Sequence, residues 1–385
     1  MFLAKPRLEL LLLIGILNLM LNNNVAAISK DSLYIDSLVN PMDSIIAHGY
    51  NMVQALPKSY VKDGSVDYTA FLQDAINKHD LLIFPNFPVL LDDKGLSIGS
   101  GKRVYFPRGS ELLLSPSDKK AYNVIRIQLA NNVILINPVI YGDRYTHSGS
   151  EGEWGMGIGI YSSRNIRIYN PQVYNCWGDG IYVGDYTPGN TSRNIFIGNA
   201  NCSHNRRNGI SIISVDTLQL MNPVIGYNGA TAPMAGIDIE PDNASNEIKN
   251  ILIQNAKSFF NGGDGICISL SELLDNRKTH SIQINIRNPT DSNSVTGMYI
   301  SCLKSKKTSL FRLQSNLSGS IIIDNPTWIE NSARPFNGYG FRTDDIGVQI
   351  VNPEILKADG ATLSRAARRA LIINSTDKNG KLQVQ

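Results

Sequence analysis

One short pattern, repeated eight times, limits this chain to very few folds. An asparagine recurs at Asn137, Asn170, Asn199, Asn222, Asn255, Asn288, Asn325 and Asn352, and subtraction gives spacings of 33, 29, 23, 33, 33, 37 and 27 residues. Four and two residues before each Asn the chain is aliphatic, as at Ile166/Ile168, Leu218/Leu220, Ile251/Ile253 and Ile321/Ile323. The positions between them vary freely (Arg167, Gln219, Asn285, Gln254, Asp324). That alternation is the period of a strand with one buried face. The residue after the Asn is Pro six times and Ala twice. Proline fixes φ and removes a donor, so the strand stops at a corner. A lone strand cannot bury its apolar face, whereas stacked copies can. The expectation is an all-β solenoid, a single-stranded right-handed parallel β-helix. A β-sandwich with coincidental Asn-Pro turns would have to match two aliphatic positions in all eight copies.

A second register follows each corner. Gly157, Gly180, Gly209, Gly236, Gly265 and Gly297 each precede an alternating pair such as Ile181/Val183 or Ile237/Ile239. Residues one and three after the Gly should face the core, and residues two and four after it should face outward. Tyr182, Ser211, Asp238, Glu240, Cys267 and Tyr299 take outward positions, and Asp179, Asn208 and Asp264 immediately precede the Gly. Coils stack about 4.8 Å apart, so these side chains should line one face of one sheet.

The chain has 385 residues, 42% hydrophobic and 18% charged, with a net charge of +3. Removing residues 1–27 takes away Lys5, Arg7 and Glu9, leaving +2. Near-neutrality gives no broad electrostatic footprint for nucleic acid. Residues 1–27 read as a secretory signal, with Lys5 and Arg7, an apolar run from Leu10 to Leu21, and the small Val25 and Ala27 at the cleavage positions. The run is short of the roughly 20 residues a membrane span needs. The expected product is therefore secreted, or periplasmic or extracellular, with no stable membrane span after cleavage. Residues 28–385 should form one β-helix domain with an N-terminal cap (28–100) and a C-terminal cap (357–385). Of four cysteines, Cys176 and Cys202 fall on neighbouring coils, as do Cys267 and Cys302. An exported protein permits those pairings, and four buried small hydrophobes are the alternative.

In chain order, residues 28–66 read as an irregular lead-in. Residues 67–79 read as a helix, with Asp67 as N-cap and an apolar stripe of Tyr68, Phe71, Leu72, Ala75 and Ile76. It is the natural plug for a solenoid's open end. The first strands fall in 81–91 and 102–114. An Asp-capped helix, a strand, the turn VYFPRG (104–109) and the repeat that follows resemble the opening of the pectate-lyase superfamily. The resemblance covers residues 67 to about 356. It implies the right-handed β-helix and leaves activity open among lyases, hydrolases, epimerases and non-enzymatic binding proteins. Residues 143–160 read as a Gly/Ser-rich protruding loop, residues 303–318 as a basic polar excursion, and residues 361–370 as a short basic helix.

Acids with nearby rings on a parallel sheet face suit a sugar chain, whose CH faces stack on aromatic rings and whose hydroxyls take hydrogen bonds. Asp238 and Glu240 are the sharpest pair. Two residues apart on one face, their backbones lie about 6.5–7 Å apart, a range that serves an inverting glycosidase. Such closeness should raise one pKa and supply a proton donor. With Asp242 they could instead bind Ca²⁺, or form a solvated acidic strand end. Asp179 (WGDGIYV) and Asp264 (GGDGICI) resemble the aspartates of polygalacturonase-like hydrolases, but stand three coils apart, about 14 Å along the axis. The Gly-His-Gly and Arg-x-Lys of that group are absent from the coils that should follow. Both could simply make Asp-Gly turns. Arg206 and Arg207 could supply the cationic side chain that pectate-lyase-like enzymes use, or bind a substrate carboxylate bidentately. Arginine is a poor base at its usual pKa. His147, Glu153 and Trp154 on the loop could close over the face. His147 and His204 read equally as solvated side chains.

The sequence thus points to a secreted protein acting on an extracellular polysaccharide or oligosaccharide by glycosidic cleavage (lyase or hydrolase) or epimerisation. Asp238, Glu240, Arg206 and Arg207 are the catalytic candidates. Asp179, Asp264, Tyr182, Trp154, Trp177, Glu153, His147 and Tyr299 are the substrate-binding candidates. A non-catalytic carbohydrate-binding or cell-surface structural β-helix is the alternative.

Overall fold

The computed structural model describes residues 42–274, 279–301, 317–339, 346–357, 359–374 and 382–385. The secretory segment, Cys302 and almost all of the 303–318 excursion lie outside the described residues. Three parallel sheets of twelve, ten and nine strands run along the molecule. Successive strands visit them in rotation: Arg164–Tyr169 joins the twelve-stranded sheet, Gln172–Tyr174 the ten-stranded and Ile181–Gly184 the nine-stranded, before Ser192–Gly198 starts the next coil. The winding is that of a right-handed parallel β-helix.

The aliphatic pairs stack in register. Ile166 pairs with Val133 on one side and Ile195 on the other, and Leu218 with Ile195 and Ile251. Ile166, Ile168, Ile195, Ile197, Leu218, Leu220, Ile251 and Ile253 belong to one continuous buried cluster. The corner asparagines align in a column. All eight take a left-handed backbone, φ 49° to 60°, which Asn tolerates because its short amide can hydrogen-bond locally. Each side-chain Nδ2 donates to the Oδ1 of the Asn one coil earlier, at 2.8–3.2 Å, from Asn170→Asn137 through Asn352→Asn325. A second, buried ladder fixes the turn into the nine-stranded sheet. Asn205 Nδ2 donates to Asn228 (3.1 Å) and Asn228 Nδ2 to Asn261 (3.0 Å).

The ends differ from expectation in detail. The lead-in is partly regular, with a helix at 42–48 and the strand Tyr50–Asn51, which opens the twelve-stranded sheet. Ile45 packs on Ile136 and Tyr169 of that sheet's outer face, with Met42 beside it. The plug helix runs Thr69–Lys78. Asp67 Oδ1 accepts from Thr69 N (2.8 Å) and Thr69 Oγ1 (2.6 Å), and Leu72, Ala75 and Ile76 join the core. Phe71 does not: it is 44% exposed, edge-on to Tyr68 at the flank of the stripe. The basic helix forms later than its pattern implied, at Arg365–Asn374, because Ser364 takes the capping role through Oγ to Ala367 N (3.3 Å).

Residues 143–160 are not one loop. Trp154–Tyr161 is a full strand of the nine-stranded sheet, since its glycines alternate with Met156, Ile158 and Ile160 pointing inward. Cys176, Cys202 and Cys267 are buried free thiols, so the Cys176–Cys202 bridge is not formed and both side chains act as small core hydrophobes. Among the described residues, no helix is long and apolar enough to cross a membrane.

Candidate functional site

The nine-stranded sheet assembles the outward column that the Gly register implied. Tyr182, Ser211, Asp238, Cys267 and Tyr299 are consecutive partners across five strands. Facing away from the core does not mean facing water, however. Ser211 and Asp238 are fully buried, because polar side chains from the preceding coils lie over them.

Asn208 is the centre of that cover. Its Nδ2 donates to Ser211 Oγ and to Asp238 Oδ2, each at 3.0 Å, and its Oδ1 accepts from Ala235 N at 2.8 Å. Its backbone N–H donates to Asp179 Oδ1 at 3.0 Å. Arg207 closes the other side: Nη1 donates to Asp179 Oδ2 at 3.0 Å, and Nε lies 3.7 Å from the Glu153 carboxylate without a hydrogen bond. Asp238 Oδ1 is buried with no hydrogen-bond partner. Glu240, two residues along, is half-buried, and Asp242 beyond Pro241 is exposed.

The electrostatics follow from this packing. Burial, then the neighbouring Glu240, pushes the Asp238 carboxyl well above the usual range, more than Arg207 pulls it down. Burial also raises Glu240, helped by Asp242, Glu272 and Asp179 and opposed by Arg207. Asp179 is raised by burial despite its pair with Arg207. Asp242 is raised by burial of its carboxyl end, by Asp185 and by Asp179, against Arg207 and a hydrogen bond from Tyr182, which lower it. Burial alone would lower Arg207, but Asp179, Asp238, Glu153 and Glu240 outweigh it and hold the guanidinium above its ordinary value. Arg207 is therefore a fixed cation and cannot serve as a base at any working pH.

Aromatic rings flank the acids on the N-terminal side. Tyr161 and Tyr182 lie 5.3 Å apart, and Tyr161 Oη donates to Asn123 Oδ1 at 2.9 Å. A side chain at Gly159 or Gly184 would strike those rings, so both glycines are needed to seat them.

Several expected members sit elsewhere. Arg206 turns away, its guanidinium 3.8 Å over the Trp177 ring and its Nη1 donating to Gly152 O at 2.8 Å. Trp177 is sandwiched between Arg206 and His147, whose rings stack at 3.8 Å. His147 is not solvated: its side chain is fully buried, with Nδ1 2.7 Å from Asp143 Oδ2. Tyr122 and Ser117 N also donate to Asp143. This cluster ties the 143–153 loop down rather than lining the sheet face. Trp154 opens its strand and is exposed, beside Ala121 of the neighbouring strand. His204 stacks on Tyr227 at 4.9 Å. Asp264, three coils beyond Asp179, meets Thr296 and Cys267, and burial pushes it up to about 6. The two aspartates do not form a pair.

Asp238 is turned to Asn208 and Asp242 to Tyr182, and among the described residues no three Asp, Glu, His or Cys side chains converge on a metal position. Sequence reasoning missed Asn208 as the linchpin, and Tyr161, Asp185 and Glu272 as neighbours. Asn208 stood one residue before a register Gly, and that position was the available signal. Among the described residues, cavities lie at the ends of the solenoid. One of about 670 Å³ is lined by Arg365, Arg368, Arg369 and Glu354, and one of about 530 Å³ by His48, Tyr50 and His79.

Fold and register together define a right-handed parallel β-helix protein, with a buried acid–arginine network on one sheet face. No family model matches the sequence. Two proteins of Bacillus subtilis (strain 168) share stretches of it. SPbeta prophage-derived uncharacterized protein YorA is 30% identical over 177 residues, 39% of this chain and 29% of YorA. Uncharacterized protein YclG is 26% identical over 213 residues, 46% of this chain and 36% of YclG. The matches span about a third of those relatives' length. Among solved structures, the A-module of Azotobacter vinelandii mannuronan C-5 epimerase AlgE4 superposes with a TM-score of 0.55 at 13% identity, covering 87% of this chain and 97% of that one. An iota-carrageenase complexed to iota-carrageenan fragments gives 0.51 at 12%, covering 80% and 75%. A polygalacturonase from Erwinia carotovora gives 0.50 at 14%, covering 84% and 95%. At these identities the likeness is one of fold.

Proposed function

We propose that this chain is a secreted carbohydrate-active protein that works on an extracellular polysaccharide at the outer face of the nine-stranded sheet, and that its reaction is glycosidic hydrolysis. The observation that carries the reading is the run Asp238, Glu240, Asp242, raised acids around one guanidinium beside paired tyrosines. Of the three routes the sequence left open, lyase and epimerase chemistry need a base for a proton alpha to a carboxylate. Arg207, held as a permanent cation, does not supply one, and Arg206 is committed to Trp177.

Hydrolysis uses what is present. Glu240, its pKa raised by burial, is the acid of the pair and gives its proton to the glycosidic oxygen as that C–O bond breaks. Asp242, at the surface, acts as the base and takes a proton from the water whose oxygen bonds to the anomeric carbon. Asp238 is sealed below under Asn208 and acts as a positioning residue through the strand it shares with Glu240. Arg207 and Asp179 fix the cover, and Tyr161 and Tyr182 offer rings to sugar faces. A β-helix that only binds glycans remains the second reading, favoured by the deep burial of Asp238.

The test is a panel of polysaccharides followed by reducing ends and by unsaturated-uronate absorbance. Reducing ends without unsaturated product, unchanged by chelator, are expected. Unsaturated product would overturn hydrolysis, and retention on an affinity gel without any product would favour the binding reading.

A further inference from the structure

We propose that the arginine-lined cavity at the C-terminal end of the solenoid binds a short acidic saccharide, one or two sugar rings carrying carboxylate, sulfate or phosphate. This is a second site, apart from the nine-stranded sheet face, and it does not depend on the reaction proposed there. It gives a task to the basic run at 361–370, which the sheet face left without one. The helix Arg365–Asn374 sets Arg365, Arg368 and Arg369 at the i, i+3 and i+4 spacing of neighbouring side chains. All three line one cavity of about 670 Å³, together with Asn352, Glu354 and Gln385. Arg365 and Arg369 are exposed and Arg368 is half-buried, so a solute can reach the guanidiniums.

On its own this arrangement is unfavourable. Like charges at three- and four-residue spacing repel. They also occupy the first half of the helix, where the dipole disfavours cations, and the first turn holds no acid to offset them. An oxyanion shared among the three reverses both effects. Guanidinium forks receive carboxylate, sulfate and phosphate oxygens through paired, parallel hydrogen bonds. Three arginines less the one lining carboxylate, Glu354, leave the lining side chains with a surplus of two positive charges. The volume falls in the range of small-molecule pockets, roughly 300–1,000 Å³, and exceeds what a bare ion needs. The rest of the lining selects within that class. Asn352, Gln385 and Glu354 offer amide and carboxylate partners to sugar hydroxyls. Among the described residues no lining side chain is aromatic, so a nucleobase would find no ring to stack on.

The test is calorimetric titration of the full chain with digalacturonate and with glucose 6-phosphate. Each is set against its uncharged counterpart, galactobiose or glucose, and inorganic phosphate is titrated alone. Both acidic sugars should bind at low salt about tenfold or more tightly than the neutral sugars and than inorganic phosphate, with the advantage shrinking as salt is added. Arg368→Gln combined with Arg369→Gln should weaken the acidic sugars about tenfold or more while circular dichroism is unchanged. Glu354→Gln removes the competing carboxylate and should tighten them about threefold, a gain that a misfolded chain cannot imitate. Acidic sugars that bind no better than neutral ones would overturn the proposal. So would undiminished binding in the double arginine variant, no gain with Glu354→Gln, or inorganic phosphate binding as tightly as glucose 6-phosphate.

Discussion

Asp238 and Glu240 share a strand and a face, yet their surroundings give them different work. Asp238 is covered by Asn208 and Glu240 is not. Replacing Glu240 by Gln keeps size and removes the titrating proton, so activity should fall by about 10²-fold or more while circular dichroism and melting are unchanged; an unaltered rate would remove Glu240 from the chemistry. Asp238→Asn makes a different prediction. A carboxyl raised above its unfolded value of 3.8 holds its proton in the folded chain after the unfolded chain has released it. Stability is then greatest below the unfolded value and is lost as pH rises toward the folded one. Asn can still accept from Asn208 and carries no charge. Asp238→Asn should therefore melt no lower than wild type at pH 7, with a shallower decline between acid and neutral pH. A lower melting point there would mean that the charge itself stabilises the cover.

Within single elements, the corner asparagines carry a burden that is easily measured. Asn222 combines φ of 51° with a bond given to Asn199 and one received from Asn255. Asn222→Ala removes both bonds and leaves a Cβ residue in the left-handed region, which together should cost about 2–4 kcal/mol by urea unfolding. Asn222→Gly relieves the backbone part and should cost less. Equal losses would assign the ladder's value to hydrogen bonds alone. These corners, like the aliphatic pairs before them, were legible because their cause is local: each coil repeats the same strand, the same φ and the same stop. The cover over Asp238 was not legible for the opposite reason. It depends on Asn208, 30 residues earlier by numbering, reaching across to the next coil. His147 was misread likewise, since its burial comes from Trp177 and Asp143 folding around it. Phe71 fitted the helical stripe, but it sits at the stripe's flank, edge-on to Tyr68 and partly exposed, while Leu72, Ala75 and Ile76 reach the core.

Taken as a whole, the molecule is a stack of coils with an apolar interior that admits few acids. Asp291 points inward, held by Ser294 Oγ at 2.7 Å and by Asn331, and burial pushes it up to about 6. Asp264 also reaches about 6. Both have the sign worked out for Asp238, so the thermal midpoint should fall as pH rises from about 4 through about 6. Asp291→Asn should flatten part of that fall; a midpoint that climbs across this window would contradict the assignment. The claim on which the whole account turns is that the glycan lies along the outer face of the nine-stranded sheet. A crystal structure of Glu240→Gln soaked with a neutral oligosaccharide tests it most directly. Sugar rings should lie on Tyr161 and Tyr182, with a glycosidic oxygen within hydrogen-bond reach of residue 240. Density only at the Arg365–Arg369 cavity or over the ten-stranded sheet would contradict it.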